Sequence, residues 1–273
     1  MIFSGSESEI SILNLSRFPV KSLPDSIDLL TSLTALYATF CLLSQVPDSI
    51  GKMTSLVELH VVQNDVTVLP DSICNLVTLS DLTVCGNLLT HLPESIGNLV
   101  CLTHLDVSGN ELTALPDSIS LLSSLTCLTI AFNLLACLPD SIDKLRSLTH
   151  LYGNDNPLTR LPDSIWNLTS LTVLNATNNQ LTYLSDSISN LTALESLAIG
   201  SNMLTRLPDS IGNITSLTHL FLEGNQLTQL PDSIGNLTSL AYLIISTNPI
   251  TSTQEGKDEV KRRFERDGLH INF

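Results

Sequence analysis

Aromatic and basic residues are scarce in this sequence, and both shortages limit what the protein can do. Seven Phe, one Trp and four Tyr make up 4% of the 273 residues, and 12 Lys and Arg stand against 27 Asp and Glu. The formal net charge at pH 7 is −15. Because no basic stripe is present to neutralise a phosphate backbone, we predict that the protein does not bind nucleic acid.

Long apolar runs are also missing. No uninterrupted run approaches the roughly 18 residues that a membrane-spanning helix needs, and the opening MIFSGSESEI has neither a basic region nor the apolar core of a secretory leader. These absences predict no membrane insertion. They also predict a cytoplasmic protein, or one secreted without a signal peptide into a host cytoplasm.

The cysteines and the known catalytic motifs give no sign of an enzyme. The cysteines are scattered and form no cluster that would cap or cross-link a domain, so we expect free thiols in a reducing compartment. They are Cys41, Cys74, Cys85, Cys101, Cys127 and Cys137. No P-loop, CxxC or HExxH motif occurs. We therefore predict no cofactor, no resident metal and no catalytic residues.

What the sequence does contain is a repeat. From Ile10 to Ser239 it runs through ten units of 23 residues without insertion or deletion, and a half unit follows to Ser252. Leu217–Ser239, LTHLFLEGNQLTQLPDSIGNLTS, shows the pattern almost unbroken. We number the positions of each unit from 1, so that Ile10 and Leu33 both occupy position 1. A fixed period of this length predicts a solenoid, in which each unit packs on its neighbours.

Each half of the unit has its own periodicity. In L-x-x-L-x-L the apolar residues alternate, which predicts a short strand, and successive strands should stack into a parallel sheet. Asparagine at position 9, from Asn64 to Asn248 in nine units, should satisfy backbone groups where the chain leaves the strand. In L-P-D-S-I-x-x-L the spacing is helical. The acid after each proline meets the positive end of that helical turn, so much of the negative charge belongs to the scaffold.

This pattern resembles the leucine-rich repeat superfamily, in particular its 23-residue type with LPxxIxxL. The resemblance covers residues 10–252 and implies an α/β solenoid arc, with the parallel sheet on the concave face and short helical turns on the convex face. Residues 1–9 are then a lead-in. Residues 253–273 are predicted to form a C-terminal capping helix and tail, because Val260 and Phe264 share a helical face and Gly268 ends it.

Positions 3, 5, 7, 8 and 10 should project from the concave side towards a partner. Aromatic and acidic residues are concentrated there, which favours protein binding. The predicted binding residues are Glu58, His60, Asp81, His104, Asp106, Phe132, His150, Tyr152 and Phe221. The alternative for Phe40 and Phe132 is that they pack into the turn beside the asparagines.

We therefore predict a non-catalytic, monomeric module that recognises a folded protein, as an intracellular signalling scaffold or a bacterial effector. The resemblance implies a small GTPase or a signalling enzyme as the partner. The alternative function is a metal-binding or Cys/His-dependent enzyme on the concave face. It rests on the Glu58, His60, Asp81, His104 and Asp106 cluster, and on the row of His104, Cys127 and His150 at position 3.

Overall fold

A computed structural model describes residues 10–264 and 268–273. Two compact units divide the chain, unit 1 (Met1–Leu134) and unit 2 (Leu135–Phe273). The predicted lead-in, residues 1–9, and the end of the predicted capping helix, residues 265–267, lie outside the described residues. Each unit contains a parallel β-sheet and short helical turns, as the repeat predicts.

In unit 1 the sheet follows the chain order, and paired residues are one repeat apart. Ile12 lies opposite Ala35, and Glu58 lies opposite Asp81. The central leucine of each strand is buried and its two neighbours point outwards. The strands in the described part of unit 1 are β1 (Ile12–Asn14), β2 (Ala35–Tyr37), β3 (Glu58–His60), β4 (Asp81–Thr83), β5 (His104–Asp106) and β6 (Cys127–Thr129).

Unit 2 repeats the same arrangement and extends it. Tyr242 pairs with His270, so the C-terminal tail adds a strand that the repeat pattern does not predict. The strands in the described part of unit 2 are β7 (His150–Tyr152), β8 (Val173–Asn175), β9 (Ser196–Ala198), β10 (His219–Phe221), β11 (Tyr242–Ile244) and β12 (His270–Asn272).

The core is made by the leucines and isoleucines that define the repeat. In the third repeat, Leu56, Leu59 and Ile73 are all fully buried, and the other repeats follow the same pattern. Replacing one such residue by alanine typically costs about 2–5 kcal/mol. The predicted α/β solenoid is confirmed.

The L-P-D-S-I segments contribute 3-10 helices, and a further one, Pro249–Thr251, follows the last asparagine of the ladder. Proline precedes the first helical residue and its fixed φ suits that place, with Pro70 at −66°. Ser185 replaces proline in one repeat, and its hydroxyl accepts a hydrogen bond from Ser187 N at 3.2 Å. In unit 1 these helices are Asp25–Leu29, Asp48–Lys52, Asp71–Asn75, Ile96–Asn98 and Asp117–Leu121; in unit 2 they are Ile142–Lys144, Asp163–Asn167, Asp186–Asn190, Asp209–Asn213, Asp232–Asn236 and Pro249–Thr251.

The asparagine ladder is present as predicted. Asn110 Nδ2 donates to Val84 O and Val107 O at 3.1 and 3.0 Å, and its Oδ1 accepts from Leu89 N at 3.0 Å. Each asparagine therefore bonds to its own repeat and to the preceding one. Cys41, which replaces asparagine in the second repeat, is buried and places its Sγ 3.0 Å from Leu15 O, the corresponding carbonyl.

The predicted C-terminal helix is present as α1 (Gln254–Arg263). Thr253 caps it by accepting a hydrogen bond from Gly256 N at 3.2 Å, and Val260 and Phe264 are buried together on one side. Within the described ranges, no helix has the length and apolar character to cross a membrane.

Candidate functional site

The outward side chains at positions 3 and 5 of each strand form a surface that we call the strand face. These residues alternate with the buried central leucine and, apart from the buried Ala35, lie outside the core. In unit 1 the strand face is rich in carboxylates and imidazoles. In unit 2 it carries imidazole and aromatic rings at β7, β10 and β11.

Five of the predicted binding residues come together in unit 1. Glu58 pairs with Asp81 across β3 and β4, Asp81 pairs with His104 across β4 and β5, and Asp106 lies two residues after His104. His60 Nε2 lies 3.4 Å from Asp81 Oδ1. The predicted compact cluster of three carboxylates and two imidazoles is therefore present on neighbouring strands.

Hydrogen bonds orient several of these carboxylates. Tyr37 Oη donates a hydrogen bond to Glu58. This bond to a carboxylate raises the pKa of the Tyr37 hydroxyl, with smaller contributions from desolvation and from the Glu58 charge. Asp106 Oδ1 accepts from Ser108 N at 2.9 Å and from the Ser108 hydroxyl at 2.6 Å. Such bonds hold the carboxylates in defined positions.

The threonine at position 2 decides which nitrogen of His104 carries the proton. Thr103 Oγ1 donates its only hydrogen to Ser80 O at 2.9 Å. The same oxygen lies 2.9 Å from His104 Nδ1, so in this contact the hydroxyl must accept and Nδ1 must donate. The neutral imidazole of His104 is therefore the Nδ1–H tautomer. Its Nε2 remains an acceptor on an exposed side chain.

The same device recurs in unit 2. Thr218 Oγ1 donates to Glu195 O at 2.9 Å and lies 2.8 Å from His219 Nδ1. Sequence reasoning missed this function of threonine, although the Thr-His pair precedes the central strand leucine in three repeats. The recurrence was a usable signal, because a hydroxyl next to a strand histidine can reach both the ring and the neighbouring carbonyl.

Unit 2 brings its imidazoles next to aromatic rings. The centroids of His150 and Tyr152 are 6.2 Å apart, and those of His219 and Phe221 are 6.1 Å apart. His219 also stacks on Tyr242 at 4.8 Å with an interplanar angle of 11°. His150 and Tyr152 lie on β7 and Phe221 lies on β10, with β8 and β9 between them. The structure thus groups these three predicted residues as two separate clusters.

The turn after each strand adopts a left-handed backbone at position 8. Three glycines occupy this position, but Phe40 and Phe132 also do so, with φ of 56° and 53°. Their side chains are 56% and 60% exposed. The alternative in which both rings pack into the turn is therefore wrong, because a side chain on a left-handed residue at this place is directed away from the core.

The geometry adds no support to the metal or Cys/His alternative. Among the residues that the structure describes, no group of three or more His, Cys, Asp or Glu side chains is arranged to hold a metal ion. Cys127 pairs with His104 across β5 and β6, but burial raises the pKa of its thiol. Burial likewise raises the pKa of Cys85 to about 11. Both thiols are thus poorly disposed to ionise and act as nucleophiles.

Comparisons with known proteins agree with this architecture. A family model described as a leucine-rich repeat region matches residues 68–156 and 162–260. A search of curated proteins finds no match. Among solved structures, a leucine-rich repeat protein of Leptospira interrogans is 27% identical, with a TM-score of 0.56, over 96% of this chain and 83% of that one.

Two receptor structures are also similar. A TDR receptor is 26% identical with a TM-score of 0.72, over 88% of this chain and 48% of that one. The plant peptide hormone receptor RGFR1, solved in complex with RGF2, is 27% identical with a TM-score of 0.68, over 83% of this chain and 45% of that one. This chain therefore spans about half the length of each receptor chain. Because the family model covers most of the repeats, and the fold and its hydrogen-bond ladder agree with it, the chain belongs to the leucine-rich repeat family.

Proposed function

We propose that this protein recognises a folded protein partner through its strand faces and catalyses no reaction. One observation carries the proposal. The backbone and core repeat almost identically, whereas the outward residues at positions 3 and 5 differ between repeats and combine acids, imidazoles and aromatic rings. Rigid surfaces with exposed aromatic rings are typical of protein-binding sites, where a few such residues supply most of the binding energy.

The charge of the outward positions indicates what the partner surface carries. Positions 3, 5, 7, 8 and 10 contain several acids and, within the repeats, a single basic residue, Arg17. These acids do not lie at the starts of 3-10 helices, so the scaffold does not account for them. Complementary charge favours a partner with a basic patch. The acids are Glu58, Asp65, Asp81, Asp106, Glu111, Asp155 and Glu223.

The family and the free thiols support a proposal for the cellular compartment and the type of partner. Relatives of this fold include receptors, and RGFR1 was solved in complex with RGF2. For this chain we propose signal recognition in a cytoplasm, as a monomeric scaffold or as an effector in a host cell, with a small GTPase or a signalling enzyme as partner. All six cysteines are free thiols, which favours a reducing compartment.

The test compares strand-face variants with matched substitutions elsewhere. Tagged wild-type protein and the variants Asp106→Ala and Tyr152→Ala are used to capture partners from a lysate, and the affinity of each captured protein is then measured after purification. Loss of a central aromatic side chain typically costs about 2 kcal/mol, which is roughly a 30-fold loss of affinity.

Two controls carry the same residue types outside the strand face. Asp117 starts a 3-10 helix and Tyr183 lies at position 13, and both are exposed. Asp117→Ala and Tyr183→Ala should bind as the wild type does. If the controls weaken binding as much as Asp106→Ala and Tyr152→Ala, the strand face is not the recognition surface.

A further inference from the structure

Unit 1 has an unusual row of exposed apolar side chains along the turn that follows its strands. They occupy positions 8 and 10 of repeats two and six and position 10 of repeat four, and their exposed fractions lie between 42% and 60%. We call this row the apolar edge. It consists of Phe40, Leu42, Leu88, Phe132 and Leu134. Exposed apolar side chains grouped along one edge in this way favour an interaction site.

Hydrogen bonds between repeats hold the backbone of Phe40, Leu88 and Leu134 in the apolar edge. Phe40 N donates to Val62 O at 3.0 Å, Leu88 N donates to Val66 O at 2.9 Å, and Leu134 N donates to Leu112 O at 2.9 Å. These bonds continue the ladder of the sheet beyond the strands. The backbone positions of these three residues are therefore defined before any partner arrives, which lowers the entropic cost of binding.

The spacing of the leucines matches a helix. Leu42, Leu88 and Leu134 occupy the same position in alternate repeats. Neighbouring strands lie about 4.8 Å apart, so the backbone at this position recurs at about 10 Å in alternate repeats. Leu42 differs from the other two leucines in its left-handed φ of 66°. Residues seven apart in an α-helix are separated by about 10.5 Å along its axis. A helix lying across the repeats can thus place apolar residues i, i+7 and i+14 against the three leucines in turn.

The charge beside the apolar edge is acidic. The repeats between the leucines carry Asp65 and Glu111 at position 10. The adjoining strand face adds the carboxylates of Asp81 and Asp106, and the exposed Nε2 of His104 is a further acceptor. A helix with lysine or arginine on the flank facing these groups would be held by both charge and hydrogen bonds.

We propose that the apolar edge of unit 1 binds a basic amphipathic α-helix of the protein partner. This inference rests on the proposed function and states the chemistry of its partner. The leucine row contacts apolar residues seven apart, and the carboxylates of Asp81 and Asp106 bind the basic flank. The two exposed phenylalanine rings lie at the ends of the row.

The test uses a designed 18-residue helical peptide with leucines at positions 2, 9 and 16 and lysines along one flank. Its affinity is measured by fluorescence anisotropy with the full chain. Leu88→Ser and the double variant Asp81→Asn, Asp106→Asn should each weaken binding at least tenfold. Because all three residues lie at the surface, melting temperatures should stay close to that of the wild type; Leu88→Lys provides a second variant that repels the lysines.

Met203→Ser is the matched control, since Met203 occupies position 10 in unit 2 and is 45% exposed. It should leave the affinity unchanged. The inference is overturned if the peptide does not bind, if Met203→Ser weakens binding as much as Leu88→Ser, or if affinity survives replacement of the lysines by glutamate. If a peptide with proline at positions 6 and 13 binds with equal affinity, the bound partner is not a helix and the inference is wrong.

This outcome is separable from the proposed function. Suppose that the peptide does not bind, while Asp106→Ala and Tyr152→Ala still reduce the affinity for a purified partner. The strand face is then the recognition surface and the helix proposal is wrong. If the peptide binds as expected while both strand-face variants keep their partner, recognition lies on the apolar edge and not on the strand face.

Discussion

The outward side chains of β3 to β5 in unit 1 are mostly carboxylates and imidazoles, whereas β8 and β9 in unit 2 present Val173, Asn175, Ser196 and Ala198 at the corresponding places. The backbone beneath them is the same. Asn202 in unit 2 donates to Ala176 O and Ile199 O at 2.9 and 3.1 Å, as Asn110 does to its neighbours in unit 1. The two units differ in outward side chains that do not contribute to the scaffold, and these side chains are the ones available for function.

The largest expected effect tests whether the two scaffolds are equivalent. Asn110→Ala in unit 1 removes the partners of buried backbone groups in two repeats, and Asn202→Ala does the same in unit 2. An unsatisfied buried polar group costs about 1–3 kcal/mol. We therefore expect each variant to lose about 2–4 kcal/mol of unfolding free energy, measured by urea denaturation.

Asn98→Ala and Asn213→Ala are controls, because both side chains are exposed on the 3-10 helices. They should change stability by less than about 0.5 kcal/mol. A loss at Asn110 with none at Asn202 would show that the two units do not depend on the same ladder.

A smaller effect separates stability from binding. Phe132 in unit 1 and Thr247 in unit 2 both have left-handed backbones, with φ of 53° and 57°. A left-handed L-residue is strained by about 1–2 kcal/mol, which glycine avoids, although glycine loses more entropy on folding. Phe132→Gly and Thr247→Gly should each gain about 0.5–1 kcal/mol, measured by urea denaturation.

The two glycine variants should differ in binding. Phe132→Gly removes a ring from the apolar edge and should lower the affinity for the designed peptide. Thr247→Gly should leave that affinity unchanged. Gly109→Ala, which creates the same strain at φ 62°, should lose stability. If Phe132→Gly were destabilising, the exposed ring would have a structural role that its 60% exposure does not suggest.

The smallest expected effect is a change in the tautomer of His104. Thr103→Val removes the acceptor of His104 Nδ1–H, so the neutral imidazole should shift towards the Nε2–H tautomer, visible in long-range ¹H–¹⁵N spectra. Thr218→Val should do the same to His219. The stability cost should stay below about 0.5 kcal/mol, because Ser80 O also accepts from Thr103 N at 2.9 Å.

His270 is the reference in these spectra, because leucine precedes it in the sequence. Its tautomer should be the same in all variants. An unchanged spectrum for His104 in Thr103→Val would mean that the threonine does not control the imidazole.

The periodic part of the structure was predictable because each element repeats its own signal. Alternating leucines predict β1 to β11, and the asparagine at position 9 predicts the buried ladder. The twelfth strand was not predictable, because His270–Asn272 has no repeat and forms only through pairing with β11. The exposed rings of Phe40 and Phe132 were also ambiguous, since burial at a turn depends on the backbone φ.

The candidate site was predictable only in its placement. Register alone brings Glu58, Asp81 and His104 onto neighbouring strands, because paired residues are one period apart. The hydrogen bond of Tyr37 to Glu58 and the tautomer of His104 depend on side-chain rotamers and on the carbonyls of an adjacent repeat. A single-sequence pattern contains no information about either.

The asparagine ladder also makes each repeat depend on the one that follows it along the chain. Each asparagine reaches back to the preceding repeat, as Asn64 does when it accepts from Leu43 N and donates to Ala38 O. The turn of each repeat therefore obtains its full set of hydrogen bonds only when the following repeat is present. During synthesis, which proceeds from the N-terminus, each new repeat can thus complete the hydrogen bonds of the repeat before it.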